Sequence, residues 1–158
     1  MIQPPIRRFA ALALVAFSTA ILGGSVLCSW LVSQGWEMQW RMIFRLVCHG
    51  IPSRCLLLFG VPMPICARCT AIYAGLIAGS LLSGLMPKMR ETTARIVVTL
   101  AALPMAIDGG TQLLRLREST NELRLETGLV AGIAIALWAL TAAKAHPATA
   151  VHRSLQPP

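Results

Sequence analysis

The chain has 158 residues, 56% of them hydrophobic and 13% charged, with a formal net charge of +8 and a positive mean hydropathy. These proportions exclude an ordinary soluble domain and point to a single integral membrane domain over residues 1–158. The positive excess calls for no nucleic acid, because segments facing anionic lipid account for it.

The first predicted element is an apolar run from about Phe9 to Val32, preceded by Arg7 and Arg8. It exceeds the roughly 7–15 residues of a signal-peptide core, so it reads as an uncleaved transmembrane helix. Leu27, before Cys28, also stands where lipoprotein processing demands a small residue. From Gln34 to Val47, Trp36, Trp40 and Phe44 recur at i, i+4 and i+8, with Glu37, Arg41 and Arg45 repeating beside them. That pattern predicts an amphipathic helix at headgroup depth. Pro52, Gly60, Pro62 and Pro64 then exclude regular helix, leaving a cysteine-rich loop before the second span at about 68–86.

The second span carries Ala71, Gly75, Gly79 and Ser83 every four residues. The third, about 94–115, places Asp108, Thr111, Gln112 and Arg115 on one face, while Pro104, Gly109 and Gly110 predict a kink or local unwinding. The fourth, about 120–143, has only sixteen strongly apolar residues, Gly128 to Ala143. A capping box at Ser119 and Glu122 lengthens it, starting the helix near Thr120. Its Gly128, Gly132 and Ala136 repeat the small-residue spacing of the second span, which predicts close helix packing.

The fold class is thus all-α: about four transmembrane helices, an interfacial helix and a cysteine-rich loop. Four spans put the first and third loops on one membrane side, bringing Cys48–Cys69 to the face that holds Asp108–Glu126. With the N-terminus inside, basic residues tie at seven on each side. Lys88 and Lys144 then both fall inside, which favours N-in, C-in.

Cys66 and Cys69 form a Cys-x-x-Cys pair, separated from Cys48-His49 by sixteen residues. The four suit zinc. Adjacent Cys48 and His49 cannot easily share one ion, so three cysteines with His49, Cys55, Asp108 or solvent in fourth place are equally consistent. A disulfide or redox-active thiol set, or simple packing, also stays open. Thr70 stands where a c-type haem motif requires histidine. Asp108, a carboxylate in an apolar run, needs an arginine, a metal or a water-filled cavity and is the candidate catalytic residue, with Gln112 beside it. Arg54, Arg68, Arg115, Arg117 and Arg124 suit an anionic headgroup or lipid-linked phosphate; Glu118, Glu122 and Glu126 offer them local pairing instead. His146 and His152 lie in a basic tail and look incidental.

Cys48-His49-Gly-Ile-Pro52-Ser-Arg54, Pro64-Ile-Cys66-Ala-Arg68-Cys69-Thr70-Ala-Ile-Tyr73-Ala-Gly75, Asp108-Gly109-Gly110-Thr111-Gln112 and Arg117-Glu118-Ser119-Thr120-Asn121 together resemble a prokaryotic family of multi-pass membrane proteins, the domain of unknown function two thousand and eighty-five. The resemblance runs from about Cys48 to Gly132. It suggests that Cys48, His49, Arg54, Cys66, Arg68, Cys69, Tyr73, Asp108, Arg117, Ser119, Asn121 and Arg124 match the family's pattern, and a prokaryotic multi-pass family implies a cytoplasmic (inner) membrane location. Cys55 departs from the serine expected beside Arg54. Three functions follow: a zinc-binding membrane protein beside an anion pocket, with or without catalysis; a membrane thiol-disulfide oxidoreductase; or a non-catalytic subunit among other membrane subunits.

Overall fold

Apolar runs nearly free of charge close their backbone hydrogen bonds within the segment by forming helices. The computed structural model describes residues 5–36, 38–85 and 89–143. It has helices α1 (Pro5–Ser33), α2 (Ala67–Leu82), α3 (Glu91–Leu113) and α4 (Asn121–Ala142), with strands β1 (Cys55–Leu58) and β2 (Val61–Cys66) between α1 and α2. Three helices, α1, α3 and α4, are long and apolar enough to cross a membrane; α2, with 16 residues, is shorter than a span of roughly twenty requires. Only 6% of the apolar window of α3 is buried within the chain, and its Ile96, Leu100, Leu103 and Ile107 are each more than half exposed.

The chain alternates in direction. Arg7 of α1 donates to the Ser83 carbonyl at the end of α2, at 2.6 Å, and Phe17 meets Tyr73 edge to face with ring centroids 6.1 Å apart. A cation at that carbonyl end also suits the helix dipole. α2 lies against α4 with unusually close backbones. A Cβ at Gly132 would stand 2.3 Å from the Ile72 carbonyl oxygen, one at Gly75 2.5 Å from that of Leu129, and one at Gly128 2.6 Å from that of Arg68. The small-residue stripes therefore face each other, with α2 and α4 running parallel.

Several expectations are corrected. The chain is not all-α, because the proline-rich segment is a hairpin. Leu58 pairs with Val61, and the two linking residues Phe59 and Gly60 have φ of 54° and 78°. Both central residues of such a primed two-residue turn are left-handed, which Gly60 adopts freely and Phe59 only at a cost of about 1 kcal/mol. Pro62 sits opposite Leu57 at a non-hydrogen-bonded position, so its missing N–H costs the ladder nothing. The aromatic segment forms a 3₁₀ helix, Met38–Leu46, rather than an α-helix, and its period of three does not keep an i+4 stripe on one face. The cap of α4 is Thr120, whose Oγ1 accepts from the Leu123 N–H at 3.3 Å, not Ser119, which turns its hydroxyl to the Thr120 carbonyl. α3 is helical without interruption through Pro104 and both glycines. Glu37, the Trp40 side chain, Met86, Lys88, Lys144, His146, His152 and Arg153 lie outside the described residues.

The glycine contacts make a direct prediction. Gly132→Leu should lower the thermal midpoint of the detergent-solubilised protein sharply, corresponding to at least about 1–3 kcal/mol of overpacking. Gly23→Ala, in α1 with nothing within 4 Å of the new Cβ, should leave the midpoint unchanged or raise it.

Candidate functional site

The hairpin positions the first half of the site. Met63 and Ile65 of β2 are buried with Cys48 and pack against Ile21, Leu22, Phe44, Val47 and Tyr73. This apolar support brings Cys48 beside the start of α2, where the Sγ atoms of Cys48, Cys66 and Cys69 all lie within 4.8 Å of one another. Backbone N–H groups of Gly50 and Cys66 donate to Cys48 Sγ at 3.4 and 3.3 Å. Gly50 is required here: its φ is 58°, and a Cβ would stand 2.6 Å from the Pro64 carbonyl oxygen. The thiols of Cys66 and Cys69, and after them these two N–H groups, hold the Cys48 thiol well below the ordinary thiol range despite its burial.

His49 does not join the three cysteines. It is exposed and lines a separate cavity with Arg41, Arg45 and Pro64. Cys55 is buried and donates its S–H to the Ile51 carbonyl at 3.1 Å. Burial first, then the neighbouring Cys66 and Cys48 sulfurs, push its thiol up to about 11. Asp108 is also outside the sulfur group. Among the described residues, no fourth Cys, His, Asp or Glu completes it.

The second half is built around Asp108, which is 2% exposed. Its Oδ2 pairs with Arg68, the residue between Cys66 and Cys69, and accepts from Gln112 Nε2 at 2.9 Å; its Oδ1 accepts from Arg117 Nη2 at 2.7 Å. Both oxygens are thus engaged, and Asp108 holds cations in place rather than standing free as a base. Gln112 Oε1 in turn accepts from Arg124 Nη2 at 3.0 Å, and Arg124 Nη1 donates to Asn121 Oδ1 at 2.8 Å. Asn121 Nδ2 reaches the Cys55 carbonyl at 3.5 Å, closing the network back onto the hairpin.

A cavity of about 770 Å³ opens over this network. Arg54, Arg68, Arg115, Arg117 and Arg124 all line it, with Gln112, Ser119 and Glu118. Among the described residues no ion pair involves Glu118, Glu122 or Glu126, so none of these acids is paired with the arginines of the cavity. Tyr73 stands apart from the cavity, packed on the cysteine cluster. None of the three clustered cysteines lines either cavity. Gly50 was not assigned a role from sequence. The Cys-His-Gly run carried a signal for it, since a glycine two residues beyond a ligand cysteine lets its N–H turn back onto the sulfur.

The fold and site define a multi-helix membrane protein in which a cysteine triad adjoins an arginine-lined cavity. The chain belongs to the family described as predicted membrane protein (DUF2085), whose model matches residues 48–138. It is 39% identical over 100 residues to an uncharacterized protein of Methanocaldococcus jannaschii, covering 62% of this chain and 64% of that relative. It is 42% identical over 96 residues to an uncharacterized protein of Methanothermobacter thermautotrophicus, covering 61% of this chain and 86% of that one. No solved structure matches the chain.

Three outcomes are expected from this geometry. Asp108→Asn should cost about 2 kcal/mol, between the values for exposed and fully buried pairs, because Arg68 and Arg117 are 23% and 47% exposed. Glu91→Gln, which breaks an exposed pair with Arg95, should cost under about 1 kcal/mol in the same thermal melts. Cys55 should resist iodoacetamide at pH 8 in the folded protein. Its thiol is raised on folding, so its contribution to stability is intact below about pH 9 and lost as pH climbs through 11, where alkylation should accelerate.

Proposed function

We propose that this protein crosses the prokaryotic inner membrane four times, N-in and C-in, holds a zinc ion on Cys48, Cys66 and Cys69, and receives an anionic headgroup or lipid-linked phosphate in the adjoining arginine cavity. The triad carries the metal reading. Zinc–sulfur bonds of about 2.3 Å at tetrahedral angles put sulfurs roughly 3.8 Å apart, inside the 4.8 Å spread of the three Sγ atoms. Three soft thiols suit zinc, and Cys48 is already biased towards the thiolate an ion needs. Solvent or an external ligand takes the fourth position.

Because these cysteines line neither cavity, the ion's role is to fix the two residues that bracket Arg68 and so to aim its guanidinium at Asp108. α2 supplies the fourth crossing: its 16 residues rise about 24 Å, and the extended Met63–Cys66 leading into it makes up the remainder. The 3₁₀ segment lies at the headgroups, where the exposed Trp36 beside it is at home. A second reading draws on the same closeness of the thiols: reversible disulfide formation between Cys48 and one of the other two.

Metal analysis of the detergent-purified protein separates the two. About one zinc per chain is expected, lost in Cys48→Ser, Cys66→Ser and Cys69→Ser and retained in His49→Ala. Metal-free protein with a reducible disulfide on thiol labelling would replace zinc binding by the redox reading.

A further inference from the structure

The five arginines of the cavity are not equivalent. Arg68 and Arg117 are spent on Asp108, and Arg124 on Gln112 and Asn121. Arg54 and Arg115 are exposed at the rim, and among the described residues neither guanidinium has a hydrogen-bond or ion-pair partner. Arg115 also has a φ of 56°, a left-handed backbone that non-glycine residues rarely adopt and that gathers at binding sites. It turns the chain sharply just after α3, where the guanidinium joins the cavity wall instead of continuing the helix.

Charge selects among anions. Five guanidinium groups less the two carboxylates Asp108 and Glu118 leave three positive charges around the cavity. A carboxylate ligand cancels one of them, whereas a phosphomonoester carries nearly two and a diphosphate more. Guanidinium forks also match phosphate oxygens in pairs. The rim is apolar on one side: Leu113 lines the cavity and is 84% exposed, and Leu116 close by is 72% exposed. An alkyl chain attached to the phosphate has a surface to follow into the bilayer.

We infer that the cavity takes a terminal phosphate or diphosphate group, gripped by Arg54 and Arg115 over an inner layer of arginines that Asp108, Gln112 and Asn121 hold in place. This rests on reading the cavity as an anion site and names the anion and the gripping pair.

The full-length protein in phosphatidylcholine nanodiscs tests it, with three probes: inorganic pyrophosphate, phosphatidic acid in the disc, and oleate as a lipid-borne carboxylate. Saturable binding of pyrophosphate or phosphatidic acid is expected, weakened about tenfold by Arg54→Gln and again by Arg115→Gln, and unchanged by Arg95→Gln, in α3 away from the cavity. Preference for phosphatidic acid identifies a lipid-borne phosphate, and preference for pyrophosphate a soluble one. Oleate binding with neither phosphate probe would overturn the inference while leaving an anion site. No binding of any probe would remove both. Unchanged phosphate affinity in Arg54→Gln and Arg115→Gln would overturn the gripping pair. Both residues are exposed, so their replacement leaves the fold intact.

Discussion

One buried carboxylate ties the polar end of this molecule together. Asp108 sits on an otherwise apolar helix and is almost wholly shielded, which is tolerable only because cations and an amide donor reach both of its oxygens. Each partner comes from a different place: Arg68 from the start of α2, Arg117 from the turn after α3, and Gln112 from one helical turn along α3 itself. The start of α2 is thereby held level with the end of α3 and the turn after it, forty residues away along the chain. The inner part of the cavity wall follows from that arrangement, since Arg68, Arg117 and Arg124, three of the five arginines facing it, are those that Asp108 and Gln112 secure.

The height of Arg68 depends in turn on the contact between α2 and α4. Gly128 receives the Arg68 carbonyl at a distance no side chain would allow, and Gly132 and Gly75 continue the approach along the pair. In a bilayer, where apolar side chains gain little by leaving lipid for protein, such backbone proximity is a main source of helix association. Packing and charge are therefore linked. A side chain at Gly128 would move the segment carrying Arg68, and with it the cation that Asp108 requires.

Much of this was legible in the residues. Helix positions follow from long apolar runs, the facing glycine stripes from their spacing, and the meeting of the cysteine loop with the Asp108 segment from counting crossings. The five arginines that the structure gathers around one cavity were singled out by type and position. What the residues concealed was local. The hairpin was hidden because prolines read as helix breakers, and a proline such as Pro62 that fits opposite Leu57 in a strand pair has no signature in composition. The 3₁₀ segment was hidden because aromatic spacing fits an α-helix equally well. His49 was attractive as a ligand by type, yet the fold that buries Cys48 leaves its neighbour His49 exposed outside the sulfur group.

The separation between sulfur and cavity bears on what the site does. A catalytic ion needs a route for substrate to its open position, and the three clustered cysteines line neither the arginine cavity nor the one beside His49, sitting instead against Met63, Ile65 and Phe44. Arg68 is the point where the two halves touch: its backbone lies within the Cys-x-x-Cys turn, and its guanidinium faces both Asp108 and the cavity. Whatever fixes the turn, whether an ion or a sulfur–sulfur bond, restricts the backbone on either side of that side chain. On the function proposed above, the cysteines would act on the cavity through position, by narrowing the conformations of one arginine, and ligand recognition would belong to the guanidinium groups rather than to the sulfur.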